Sequence, residues 1–445
     1  MLGRLVARRT ATKALLQCPK TIPLPVSAAR CFGTGGGDAS SSQERLALDM
    51  IRYALGHARS QKSGDSYAHA MLVLEQGLSN LRGVVGAGGA VDGAGSSDNA
   101  MVMLMLAMST LHYERGELRD AAEKLEMVGQ LGRASLDLRA VAAWESRVGL
   151  NLETSEDVTS KLVEDDCSRL LRTSTESGLP VSEVTKLRAK YIKGLVDLVN
   201  GDVKSAELSF GGSKDCGLEE GEHQFMRFTL DVGNGLLSRG EFSHCTGNFS
   251  FAKELYEKAL LTSEARDTSS ITYLAAANMV PEEVIIGATC ALGQLLSHSG
   301  KFEEAEELLT KALVKAEEHF GSTHPKVGVV LTCIAIMYKH KAQMEASSSI
   351  LIQEGLYRKA TDLLKAPSLD GEVDVQVDGC DIVALARGGY ADLLCIQQNR
   401  KQEGERMKKW AESMWRNRRL SLAEALEFSE PSKSAVVDTR ICRVL

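Results

Sequence analysis

Val284–Leu313, VIIGATCALGQLLSHSGKFEEAEELLTKAL, divides at Gly300 into two amphipathic halves. In the first, Leu292, Gly293 and Leu296 share one helical face. In the second, Phe302, Ala305, Leu308, Leu309 and Ala312 recur at three- and four-residue steps, with Glu303, Glu304, Glu306, Glu307 and Lys311 opposite. Small residues at Gly293 and Ala305 let two helix backbones approach, and the larger side chains fill the space beside them. A helix pair of this kind cannot bury its apolar stripe alone, so it needs neighbours like itself.

Such neighbours recur along the chain. Gly116, Ala121 and Leu125 repeat the second-helix pattern, and Gly194 with Gly201, Ala206 and Phe210 repeats the whole unit. In Glu222–Leu261 we read Gly233 as the counterpart of Gly293 and Gly240 as the helix end. A seven-residue insertion holding His244 and Cys245 then precedes Ala252, Tyr256 and Ala259. After His324-Pro325, a proline suited to a first helical turn, come Ala335 and Tyr338, then Ala360, with Lys339–Glu354 lengthening the unit either as helix or as a loop over the groove.

The Leu292–Gly293, Gly300-Lys301-Phe302, Ala305 and Ala312–Leu313 spacing closely resembles the tetratricopeptide repeat. Phe320–Pro325 is similar to the linker of the longer repeats in kinesin light chains. The resemblance covers roughly residues 44–415 and implies an all-α, right-handed α-solenoid of about eight helix-turn-helix repeats. It further implies a concave groove lined by first helices, in which such proteins hold a peptide or a partner helix without doing chemistry. Some of these repeats clamp a carboxylate terminus with lysine and asparagine. Here those positions hold Leu106 and Thr110, Tyr191 and Leu195, Cys290 and Gln294, Thr332 and Ile336, so the clamp is absent. By register the groove would instead present Arg227, Asn234, Gln294, Ser297, His298 and Lys339, a polar, weakly basic strip, as the protein-binding surface.

The 445 residues carry a net charge of −7. Residues 1–32 hold Arg4, Arg8, Arg9, Lys13, Lys20 and Arg30 and no acid, so the remainder stands at −13. That acidic body is a poor match for a polyanion, which argues against nucleic acid as a partner. An organellar RNA-binding helical repeat is the alternative reading. The acid-free start, with Arg30-Cys31-Phe32 before Gly33, has the marks of a mitochondrial transit peptide; a chloroplast address is the other possibility. No apolar run approaches the roughly 20 residues of a membrane span; the longest is Met101–Met108, read as core. The ten cysteines are dispersed without a Cys-x-x-Cys pair, as buried thiols in a reducing compartment would be.

The expected organisation is a transit peptide (1–32), a flexible linker (33–43), a degenerate helix pair (44–82), a Gly-rich loop (83–97) and tetratricopeptide-like repeats (98–366). An acidic linker (367–380), a last repeat with a capping helix (381–428) and a flexible tail (429–445) complete it. The Gly-rich GVVGAGGAVDGAG lacks the Gly-Lys-Ser/Thr step of a phosphate loop and a preceding strand. We find no catalytic constellation, metal-ligand spacing or cofactor motif. The sequence thus points to a non-catalytic mitochondrial scaffold or adaptor, of the assembly-factor or complex-subunit kind, that binds a protein partner.

Overall fold

The computed structural model describes residues 39–87, 94–131, 138–178, 180–211, 232–264, 275–346, 349–369, 379–428 and 431–445. The transit-peptide expectation and Arg227 lie outside these residues. Among the described residues, sixteen helices fall into eight antiparallel pairs: α1 (Ala39–Gln61) and α2 (Gly64–Ala87), α3 (Ala94–Glu114) and α4 (Leu118–Leu131), α5 (Leu138–Glu153) and α6 (Asp157–Glu176), α7 (Glu183–Val199) and α8 (Val203–Phe210). The series continues with α9 (Gly233–Cys245) and α10 (Phe249–Glu264), α11 (Pro281–His298) and α12 (Phe302–Phe320), α13 (Pro325–Glu345) and α14 (Ile350–Leu363), α15 (Cys380–Ile396) and α16 (Lys401–Met414). A short α17 (Leu422–Leu426) follows, opened by a Ser421/Glu424 capping box. The chain is an all-α solenoid.

One hydrogen-bonded turn joins the halves of four pairs. Gly116, Gly201, Gly247 and Gly300 all have φ between +72° and +84°. After each, the next amide bonds a carbonyl five residues back, as in Lys301 N to Leu296 O at 2.9 Å, while the glycine amide bonds three back. This closes the helix with a left-handed residue that only glycine adopts freely. Sixteen residues separate the contact that follows. A Cβ on Gly194 would lie 2.5 Å from Phe210, on Gly240 2.6 Å from Tyr256, and on Gly293 2.6 Å from Leu309. The fifth pair therefore carries its signature at Gly240, not Gly233, which opens α9. Residues 240–246 are the end of a helix, not an insertion. Ala121, Ala206, Ala252, Ala259, Ala305, Ala312, Ala335 and Ala360 are all fully buried between helices.

First helices of neighbouring pairs touch one another, as α5 touches α7, α9 touches α11 and α11 touches α13, while each second helix packs on the next first helix. The first helices thus form an inner layer covered on one side. Their other side is covered too. Ile286–Ser297 of α11 and Cys380–Ala391 of α15 are buried on every face, as is Val102–Met108 of α3.

Several boundaries differ from expectation. Helix α1 begins at Ala39, within the stretch expected to be a flexible linker. Helices α2 and α3 run into the Gly-rich stretch from both sides. In the 339–354 extension, residues 339–345 continue α13 and residues 350–354 open α14, so the unit is lengthened by helix on both sides. Among the described residues no helix is long and apolar enough to cross a membrane. The largest difference is at residues 431–445, expected to fray. They form a two-stranded antiparallel hairpin, β1 (Val437–Asp438) and β2 (Arg443–Val444), pairing Val437 with Val444 and Asp438 with Arg443. This hairpin is buried in the inner layer, and it touches elements from α5 to α15, which requires that layer to curve around it.

Candidate functional site

Two arginines seat the hairpin. Arg440, fully buried, spends all its donors: Nη1 on the backbone oxygen and Oδ1 of Asn234 (3.1 and 3.0 Å), Nη2 on Ser238 Oγ (2.9 Å), Glu241 Oε2 (3.0 Å) and Asp438 Oδ2 (2.7 Å), and Nε on Asp438 Oδ1 (3.1 Å). Arg443, 1% exposed, bonds Asp381 Oδ2 through Nε at 2.8 Å and grips Asp157 and the Leu152 carbonyl through its two Nη atoms. Such fork-shaped pairing fixes orientation as well as charge. Asp438 also accepts the Arg440 amide at 2.8 Å, so the turn holds its own shape.

The backbone of the hairpin is read as well. Gln294 behaves like an adjoining strand, with Nε2 donating to Val437 O at 3.0 Å and Oε1 accepting from Val437 N at 2.8 Å. Arg419 donates to the carbonyls of Ser434 and Leu445, and Asn417 to that of Val444. Val436, Ile441 and Leu445 complete an apolar cluster with Leu237, Val284 and Ala288.

Beneath the turn lies a second buried network. Lys326 Nζ donates to both oxygens of Glu283 at 2.9 Å and to Arg440 O at 2.8 Å, and Asn278 shares that carbonyl at 3.1 Å. The Tyr113 hydroxyl lies 3.2 Å from both Glu153 and Glu283. Burial pushes Glu283 up to about 8 and raises Glu153 too, while Lys326, opposed by burial, is held charged by both carboxyls. One ammonium facing two carboxyls leaves room for one proton between them at neutral pH. Glu241 is likewise raised, by burial first and by the neighbouring Asp438 carboxylate second.

The residues expected to line an open strip are mostly already engaged. Asn234 and Gln294 contact the hairpin. Ser297 bonds neighbouring His340 at 3.5 Å, His298 bonds His244, and Lys339 pairs with Asp392 at 2.7 Å. The strip is neither open nor weakly basic: Asp157, Glu241 and Asp381 give it acidic pockets. Those three, with Glu153, Glu283 and Lys326, escaped the sequence reading. Glu241 had a usable signal, because it follows Gly240 as Gln294 follows Gly293; the misplaced register put Asn234 there instead.

His244, expected in a loop, is buried at the end of α9. Its Nε2 is 2.8 Å from His298 Nδ1 and its Nδ1 3.2 Å from the Tyr256 hydroxyl, and the His298 and His340 rings lie 5.6 Å apart. Burial lowers all three, His298 to about 4 with Arg419 adding to the effect. Unfolded, His298 takes a proton below about 6.5; folded, it stays neutral. Its stabilising contribution is therefore full above that pH and is lost as pH falls toward 4. Between pH 7.5 and 5 the stability advantage of wild type over His298→Asn should shrink by on the order of 1–2 kcal/mol in urea melts. An advantage unchanged across that range would show that the ring ionises as freely folded as unfolded.

Among the described residues one trio, His112, Glu117 and Asp120, brings potential metal-ligand atoms within 4.8 Å of one another. There His112 Nδ1 already bonds Glu117 at 2.8 Å across the α3–α4 turn.

Residues 287–326, the unit on which the sequence reading was centred, match the tetratricopeptide repeat family model. That one unit is thus similar to a tetratricopeptide repeat. No curated protein matches the chain. Among solved structures, the chain is similar to the apo form of the quorum sensor NprR from B. thuringiensis, at 10% identity, covering 83% of this chain and 87% of that one, TM-score 0.46. It is also similar to a circular tandem repeat protein with novel repeat topology and enhanced subunit contact surfaces, at 14% identity over 84% and 96% of the two chains, TM-score 0.28.

Proposed function

We propose that this tetratricopeptide-like solenoid is a non-catalytic scaffold of the mitochondrial matrix, an assembly factor or complex subunit that holds a segment of another protein in its inner groove. The observation that carries the reading is the hairpin itself. The inner layer takes up residues 431–445 through side chains aimed at backbone carbonyls, amides and arginine heads, which is how one polypeptide recognises another. The acid-free residues 1–32 support the organellar address, and the acidic body supports a protein partner over a polyanion.

Two measurements test this. In vitro import should cleave the chain near Gly33 and leave it protected from added protease inside mitochondria; an uncleaved, accessible chain removes the matrix assignment. Affinity purification of tagged chain from isolated mitochondria should recover a defined protein set that survives nuclease, whereas material that vanishes with RNA would favour a nucleic-acid reader.

A further inference from the structure

Resting on the scaffold reading, we infer that the groove is a receptor for an arginine-paired turn, Asp-x-Arg-x-x-Arg, carried by a partner protein, and that residues 431–445 occupy it in cis until that partner displaces them. Three observations lead there. The first is that the groove reads side chains at fixed spacing. One pocket, built by Asn234, Ser238 and Glu241 of α9, fits the first guanidinium. A second, built by Asp157 and Asp381 with the Leu152 carbonyl, fits a guanidinium three residues on. The acidic residue two before the first arginine belongs to the ligand, where Asp438 both closes the turn and shares the Arg440 head.

The second observation is the kind of chemistry used. A segment that serves only to fill a core is stabilised best by apolar side chains, since desolvating ions offsets most of their attraction. Here Asp438, Arg440 and Arg443 are each 1% exposed or less. Buried charge gives orientation and selectivity more than net stability, which suits a ligand that must be recognised and released.

The third is charge balance. Residues 431–445 carry Lys433, Arg440 and Arg443 against Asp438, a net +2. Removing them leaves Asp157, Glu241 and Asp381 facing the open groove beside the Lys326-bound Glu153 and Glu283, with Arg419 at the rim. An open groove of that composition attracts a cationic segment and steers it in.

The test uses the full chain and a fluorescein-labelled synthetic peptide of residues 431–445. Wild type should bind it poorly, because the tethered copy competes at an effective concentration of the order of ~1 mM. The full chain carrying R440A and R443A, its groove acids intact, should bind the same peptide at least ~100-fold tighter. Adding E241Q and D381N to that chain, or the two alanines to the peptide, should abolish the gain. An R440A/R443A chain that keeps its helical circular dichroism yet ignores the peptide overturns the proposal, and so does one that unfolds, since the hairpin is then part of the core. Native-state hydrogen exchange of wild type gives an independent reading: the Val437 and Leu445 amides should exchange through an opening that leaves α11 and α13 protected. Exchange only with global unfolding overturns the inference. Dimerisation of wild type with rising concentration overturns the separate partner, because a second copy would supply the turn. A chain that captures mitochondrial proteins but not the peptide sinks this inference and leaves the scaffold reading standing.

Discussion

Lys326→Met should lower the unfolding free energy by about 3–5 kcal/mol at neutral pH, the usual loss when one member of a buried charged cluster is removed. Methionine matches the lysine stem in volume, so packing is nearly kept and the charge is what goes. Lys326 is 2% exposed, Glu283 is fully buried, and the ammonium faces both Glu283 oxygens with Glu153 3.9 Å away. Without it, among the described residues Glu153 keeps Tyr113, Asn278 and Cys442 as donors and Glu283 keeps Tyr113, and both carboxyls must be protonated to stay buried. A carboxyl neutral when folded and ionised when unfolded destabilises the fold above its unfolded value near 4.5. The deficit of the variant should therefore shrink as pH falls from 7 toward 5. Guanidinium melts across that range check both magnitude and slope; a deficit constant with pH would mean that lost packing, not lost charge, is responsible. Adding Glu283→Gln should recover part of the loss.

Gly293→Leu should cost about 2–3 kcal/mol through overpacking. A bare Cβ at this position already lies 2.6 Å from Leu309 Cγ and 3.2 Å from the Leu309 backbone amide, so the side chain can yield only if α12 moves. Trading glycine for leucine inside a helix returns under ~1 kcal/mol of backbone preference, too little to compensate. The double variant with Leu309→Ala should regain much of the stability, because the new side chain then occupies the space vacated. Urea melts decide the matter, and a Gly293→Leu chain as stable as wild type would remove close helix approach as the reason for glycine here.

These two residues differ in how far the sequence discloses them. Gly293 sits in a periodic pattern whose meaning is local: the left-handed turn at Gly300 and the contact with Leu309 are set within sixteen residues. Helix pairing, pair number and the buried alanines were legible for that reason. In the fifth pair two glycines, Gly233 and Gly240, offer the same spacing, and the left-handed turn at Gly247 and the Gly240 to Tyr256 contact separate them. Lys326 and Arg443 had no such pattern. Their partners lie far along the chain, 43 residues from Lys326 to Glu283 and 291 from Arg443 to Leu152, and an isolated charge in sequence reads as a solvated one. A two-residue strand such as Val437–Asp438 is likewise too short to alternate visibly.

The hairpin also alters how this protein must come together. A repeat array whose units touch only their neighbours can assemble from one end as it is synthesised. Here the inner layer closes on residues made after α1 to α16, with bonds reaching back to Glu153, Asp157, Asn234 and Asp381. Until residues 431–445 have been made, Glu241, Asp381 and Asp157 lack the arginines they pair with. Docking of residues 431–445 is then an intramolecular step whose rate should follow ionic strength, while helix formation in the preceding units should not.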